Sequence, residues 1–261
     1  MELLVCIKQV PDDSVAVTLD ANGAPKTADI APVVNAFDTY ALEMATRCKE
    51  AHGGSVTVLT VSGDDVTASL RSCLAVGADK AFMVNEGAVC DAHGVAHLLA
   101  KASAKAGEAP FDVIFVGSEA TDSACAQVGV MLGEELGLPV VTNVLSVEPA
   151  EGGVELKQET DEGYRIVTAP TPCVVTIVKP EYEPRYPSIK SKMAARKMPV
   201  GTLTAADVEA DAAKFGPEGA KTECVAISAP AKREAGVKIQ EKEAAVAVSR
   251  AIEMMAGQKL I

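Results

Sequence analysis

The chain has 261 residues, of which 48% are apolar and 23% charged, and a formal net charge of −12. That length suits one large domain with an appendage, and it buries a core without disulfide or metal staples. An acidic chain with no Trp, four Tyr and five Phe offers neither a phosphate-tracking surface nor aromatic stacking platforms, which excludes nucleic acid as a partner.

No apolar run is long enough to insert in a membrane. Met1-Glu2 leads directly into Leu3–Ile7 without the cationic start of a signal peptide, which predicts a cytoplasmic protein. The cysteines are Cys6, Cys48, Cys73, Cys90, Cys125, Cys173 and Cys224. They are scattered and never spaced Cys-x-x-Cys, the pattern of reduced thiols. His93 and His97 stand four apart, but Gly94 occupies the place where a zinc-protease helix carries Glu, so no metal site is predicted.

Leu3–Ile7 reads as a strand buried on both faces of a parallel sheet. Asn22-Gly23 between Val15–Leu19 and Lys26 reads as a hairpin turn. Asn35 is a predicted N-cap, followed by Phe37, Ala41, Leu42, Ala45 and Cys48 at helical spacing, up to Gly53-Gly54. Strands at Val56–Val61, Lys80–Val84, Val113–Val116 and from Val140 then alternate with helices at Asp65–Val76, Asp91–Ala106 and Ser123–Leu136. This order predicts βαβ units and a mostly parallel open sheet with flanking helices.

The period then changes. Val144–Val147, Val154–Glu159, Tyr164–Thr168 and Cys173–Val178 read as short strands of an antiparallel meander. Lys179–Pro199 carries four prolines and no clean periodicity. Thr204–Ala212 is a predicted helix, Glu223–Ile227 a strand and Glu241–Met255 a helix. Residues 1–178 are thus an α/β core with a meander, 179–199 a loop and 200–261 an extended C-terminal arm.

Common catalytic and nucleotide signatures are missing: no P-loop, no Gly-x-Gly and no Gly-x-Ser-x-Gly. Little is left for acid–base or nucleophilic work, so no catalytic residue is assigned. One loop stands out. Val113–Val116 ends in Gly117, and Ser118-Glu119-Ala120-Thr121-Asp122-Ser123 leads to a helix. A polar loop at a strand's carboxyl end before a helix N-terminus suits a phosphate; it equally suits an ordinary capped turn on Asp122 or Ser123. Lys179–Pro199 carries net +4 on an acidic chain, which suits electrostatic docking or a plain solvated loop.

At these places the sequence resembles the beta subunit of electron-transfer flavoproteins. The strings are VCIKQVPD (Val5–Asp12), NAFDTYALE (Asn35–Glu43), GSEATDSACAQVG (Gly117–Gly129), EPRY (Glu183–Tyr186) and AGVKI (Ala235–Ile239), in the family's order. Arg165 stands where the family carries Glu or Gln, and Ser118-Glu119 follow the loop glycine. The resemblance implies an adenine-nucleotide-binding α/β subunit of a heterodimer. Its alpha-subunit partner would hold a redox FAD, and an acyl-CoA dehydrogenase or similar enzyme would exchange electrons with the pair.

The resemblance further implies a second nucleotide on this chain. FAD is favoured, with NADH as donor in a bifurcating type, and AMP is the alternative in a plain shuttle. Carried over by position, Cys6 lines the adenine pocket through its backbone. Asn35, Ala36, Phe37 and Asp38 frame the nucleotide, and Val61 lies by the same edge. Gly117, Ser118, Glu119, Ala120, Thr121, Asp122, Ser123, Ala124, Cys125, Ala126, Gln127 and Val128 wrap ribose and phosphate. Ile189 matches the anchor of a partner-recognition loop, with Arg185, Tyr186, Lys190 and Lys197 around it. An ATP-using α/β enzyme is the outside alternative, and Gln9–Asp13 offers no glycine for its phosphate loop.

Overall fold

The protein is described here by a computed structural model covering residues 1–87, 91–231 and 235–261. Cys90 lies outside the described residues. A nine-stranded sheet organises the chain. Its strands are β1 (Glu2–Cys6), β4 (Ser55–Ser62), β5 (Lys80–Asn85), β6 (Val113–Gly117), β7 (Val140–Ala150), β8 (Gly153–Thr160), β9 (Gly163–Pro170), β10 (Cys173–Ile177) and β11 (Gly201–Leu203). They lie in the order β11-β5-β4-β1-β6-β10-β7-β8-β9. A separate ribbon pairs β2 (Gln9–Pro11) with β3 (Pro32–Val34).

The predicted α/β architecture is present. β1 pairs in parallel with β4 and β6, with Leu3 opposite both Val56 and Val113. Alternation along β1 feeds two cores. Leu3, Val5 and Ile7 meet Ala41, Leu42, Ala45 and Cys48 of α1 (Ala36–His52) and Leu70 and Cys73 of α2 (Thr67–Val76). Leu4 and Cys6 meet Ala96, Leu99 and Ala102 of α3 (Ala92–Ala106) and Leu132 of α4 (Val128–Leu136). Helices therefore cover both faces, as continuous apolar strands require. No described helix is long and apolar enough to cross a membrane.

β10 departs from the predicted meander. It runs parallel to β6 on one side and β7 on the other. All five of its residues are buried, which an open antiparallel edge would not achieve. The meander proper is β7-β8-β9, fully antiparallel. β9 is its open edge and exposes Tyr164 and Ile166, while Arg165 bonds to Gln158 at 2.7 Å.

Three further expectations are corrected. The hairpin near Asn22-Gly23 is reduced to one bridge, Leu19 to Pro25. Thr204–Ala212 is turns, because Asp207 accepts both the Thr204 N–H and its hydroxyl at 2.8 and 2.7 Å. Such local bonds compete with helix formation. Glu223–Ile227 forms no strand, having no partner to complete its main-chain bonds.

The segment after Pro199 begins on the core. β11 extends the sheet beside β5, and Val208 is buried against the α3 face. His97 of α3 sits between Glu135, at 2.7 Å from Nδ1, and the Asp211 N–H, at 3.0 Å from Nε2. A 3-10 turn (Ala212–Lys214) and a single helical turn, α6 (Gly216–Gly219), follow. Asp91 accepts the Lys221 and Thr222 N–H groups at 2.7 and 3.0 Å. Beyond this tether none of the described residues is buried, including those of α7 (Ala244–Gly257).

Phe115, fully buried in β6, tests the core. Phe115→Ala is expected to lower the unfolding free energy by about 3–5 kcal/mol, read as a shift in the urea midpoint at unchanged slope. A loss below about 1 kcal/mol would contradict the packing described.

Candidate functional site

Strand order reverses at β1: β4 and β5 lie on one side, β6, β10 and β7 on the other. The connection after β1 leads to α1 on one face, and that after β6 leads to α4 on the opposite face. Such a divergence opens a crevice at the strands' carboxyl ends, where open α/β sheets bind ligands.

Two side chains at the start of α1 build the floor of this crevice. Asp38 accepts the Lys8 N–H at 2.6 Å and the Gly117 N–H at 3.2 Å, joining the ends of β1 and β6. Gly117 has no room for a side chain: a Cβ there would lie 2.2 Å from Asp38 Oδ1 and 2.9 Å from Phe37 Cβ. Asn35 stands at the cap position of α1, but its side chain does not cap the helix. Its amide instead donates to the Glu119 carbonyl at 2.8 Å and accepts the Thr121 N–H at 3.0 Å. Both side chains are buried, so they act by shaping the loop.

Burial pushes the Asp38 carboxyl up from 3.8 to about 7, against the N–H groups of Lys8 and Gly117 and the Asn35 amide, which favour the ionised form. A carboxyl raised on folding stabilises the fold in acid. That contribution is complete below 3.8 and is lost as the pH rises through about 7. Burial, and next the Asp38 charge, push the Cys6 thiol up as well. Val61 lies two residues beyond Leu59, the β4 partner of Cys6.

The loop after Gly117 is longer than predicted. α4 begins at Val128 with Gln127 at its cap position and no side-chain cap, so neither Asp122 nor Ser123 caps it. Ala124 and Ala126 hold φ of 49° and 53°, a left-handed backbone that a right-handed helix cannot include. Asp122 is paired instead with Lys8, at 2.6 Å. Residues Asp122–Gln127 are exposed. Among the described residues, the main-chain N–H groups from Cys125 to Val130 meet no protein acceptor. Consecutive free donors on an uncapped helix N-terminus fit the oxygens of a phosphate.

The segment 179–199 contains a helix, α5 (Ile189–Ala195), capped by Ser188 Oγ accepting the Ser191 N–H at 3.0 Å. Tyr186, Ile189 and Met193 are exposed, Ile189 to 82%. Lys190 and Lys197 are exposed and form no ion pair among the described residues. Arg185 is placed differently: its guanidinium lies 2.8 Å from buried Glu43 and 2.5 Å from Glu50. Burial raises the Glu43 carboxyl, but the guanidinium groups of Arg185 and Arg47 win and hold it below its ordinary value.

Lys8, Glu43 and Glu50 escaped the sequence reading. Lys8 stands two residues past the end of β1, and Glu43 and Glu50 stand seven apart on one face of α1, a legible acidic stripe. A cavity of about 700 Å³ lies between β3, α1, α2 and Glu183–Pro187. Its polar members Thr39, Ser69 and Ser72 bond within the protein, as do Glu43 and Arg185. Glu183, also in the lining, pairs with Lys179, so the charged, serine and threonine side chains of the described lining are occupied within the protein and the switch crevice is the stronger site.

Comparison with known proteins shows the family of the chain. The electron transfer flavoprotein domain family matches residues 27–208. An electron transfer flavoprotein subunit beta of Megasphaera elsdenii is 33% identical, with all of both chains covered. One of Thermoanaerobacterium thermosaccharolyticum is 38% identical over 90% of this chain and 91% of its own. An acryloyl-CoA reductase electron transfer subunit gamma of Anaerotignum propionicum is 30% identical over 92% of each chain.

Asn35→Ala removes both side-chain bonds to the loop and is expected to cost about 2 kcal/mol, with faster amide exchange at Thr121. Ala124→Gly relieves a left-handed alanine and is expected to gain about 1 kcal/mol. A destabilised glycine variant would refute the strain.

Proposed function

We propose, for a chain that belongs to the electron transfer flavoprotein family as a beta-type subunit, that Gly117–Val128 hold an adenine nucleotide in the switch crevice. One observation carries this reading. The Asp38 and Asn35 ties fix a loop whose far end presents free N–H groups from Cys125 to Val130. Cys6, Asn35–Asp38 and Val61 meet at the same edge of the sheet and frame the remainder of the ligand.

FAD is favoured over AMP. Ala126 and Val128 offer no polar side chain to a terminal monophosphate. The exposure of Asp122–Gln127 leaves a diphosphate free to continue outward from the helix N-terminus. A bound flavin would supply the redox chemistry, and this chain would supply binding, orientation and electrostatics. In that form NADH is the donor, as in an electron-bifurcating flavoprotein working in the cytoplasm.

The partner is an alpha-type subunit carrying its own FAD. α7 buries nothing in this chain and exposes Val248 and Ile252, which share one side of the helix, an apolar side that suits a partner's surface. Residues 200–219 lean on the core, so the partner-binding arm proper starts after the Asp91 tether. Electrons then pass to an acyl-CoA dehydrogenase or similar enzyme docked on α5. Ile189 is the apolar anchor, Tyr186 flanks it, and Lys190 and Lys197 supply attraction. Arg185 positions this element through Glu43 and Glu50.

Nucleotides released from the denatured heterodimer decide the ligand: two FAD and no AMP are expected, and one of each would establish the shuttle form instead. Ile189→Ala is expected to weaken docking by about 2 kcal/mol, seen as slower electron transfer at unchanged nucleotide content. Transfer at the original rate would remove the anchor role.

A further inference from the structure

The docking of residues 205–214 on the core turns on one buried side chain, His97, which is 1% exposed. Its ring is held at both nitrogens. Nδ1 lies 2.7 Å from Glu135 of α4, and Nε2 lies 3.0 Å from the main-chain nitrogen of Asp211. A main-chain N–H can only donate. Nε2 is therefore the bare nitrogen, and the ring proton sits on Nδ1, donated to the Glu135 carboxylate. The docked segment is thus built on a neutral imidazole. Val208 is buried against the same helix, with Ala205, Ala210 and Phe215 packed on that cluster. One exposed pair, Lys105 with Glu209 at 3.4 Å, spans the contact.

We propose that His97 is a proton-operated latch: protonation of Nε2 releases residues 205–214 from α3 and α4, so that the root of the C-terminal arm is anchored at neutral pH and freed in acid. An imidazolium presents an N–H at both nitrogens. Its Nε2–H would meet the Asp211 N–H, donor against donor, on a ring buried away from water. The Lys214 ammonium lies 3.0 Å from the same Glu135 oxygen that Nδ1 meets, and adds a repulsion present only in the docked state. Glu135 attracts the imidazolium, but it belongs to α4 and does so whether or not the segment is docked. The hydrogen bonds from His97 and Lys214 hold its carboxyl below the ordinary value, so it stays ionised while an imidazole titrates. The Asp211 carboxylate is turned to the Ala213 N–H at 3.0 Å. On α3, Lys101 and Lys105 are exposed, and His93 stands one turn before. β4 carries no titratable residue, and Lys80 of β5 is paired with Glu108. Burial raises the carboxyl of the Asp91 tether, but the N–H groups of Gly94, Lys221 and Thr222 win and hold it below its ordinary value. The undocked state therefore binds one proton more than the docked one. Docking is complete above the range of imidazole titration and is lost as the pH falls through it.

The test follows the full chain between about pH 7.5 and 5.5, inside the range of imidazole titration. With isotope-labelled histidine, nitrogen NMR at the upper pH should show His97 with a protonated Nδ1 and a bare Nε2. A proton on Nε2 there overturns the latch. Hydrogen exchange, corrected for the intrinsic pH dependence of free amides, should show protection at Asp211 and across 205–214 falling by about tenfold between the two pH values. The amides of β1 and β6 should keep theirs. His97→Gln carries a side chain that does not titrate, and should make the protection of this segment independent of pH. Should that variant fail to fold, the wild-type tautomer and exchange decide alone. Protection of 205–214 that does not change with pH overturns the proposal. So does an acid loss that persists in His97→Gln, which would belong to another group. Loss of protection in β1 and β6 together with the segment overturns it as well, because the whole fold would then be opening.

Discussion

The crevice depends on a carboxyl placed where main-chain pairing stops. The ladder between β1 and β6 ends at Cys6 and Val116. Asp38 then takes over, accepting N–H groups from residues 30 and 79 positions away in sequence. A side chain from the first turn of α1 thereby sets the spacing of two strand ends. The glycine at 117, the turn of the following loop and the buried amide of Asn35 all follow from that placement. The carboxyl is a positioning group: both of its oxygens are engaged, and burial sets the energy of its ionisation.

The alternation of strands and helices over the first 140 residues was legible because apolar runs and glycine stops recur at regular intervals. β10 was not, because Cys173–Ile177 is an apolar run that fits a meander or a parallel core equally well. Only its neighbours decide. The site was legible as a stretch of residues but not as a geometry. Gly117 and the polar loop were visible, whereas the start of α4 slipped by several residues. Two alanines took left-handed backbone there, which no propensity rule assigns to alanine. Asn35 was read at the right position with the wrong bond. Its side chain reaches across the crevice, a tertiary contact invisible to local pattern.

Charge follows the same division. The run from Lys179 to Pro199 is basic by composition, yet its members do different work. Arg185 is drawn into the fold by Glu43 and Glu50, and the lysines of α5 stay in solvent. Removing Arg185 from buried Glu43 would leave that carboxylate with one of its two guanidinium partners, Arg47. Arg185 is therefore held in place, whereas Lys190 and Lys197 are exposed. Composition singled out the segment as basic, and packing separates its anchored residue from its exposed ones.

The place of β10 has a consequence for biosynthesis. It is the strand between β6 and β7, yet it is made after the whole β7-β8-β9 excursion. While the ribosome is still short of residue 177, β6 and β7 have no bond to each other and each presents an open apolar flank. The nascent chain can assemble the β5-β4-β1-β6 half early. The centre of the sheet closes only when a late segment threads between two strands already present. Long-range closure of this kind slows folding. It also makes the interval before Ile177 emerges the period of greatest exposure to misassociation.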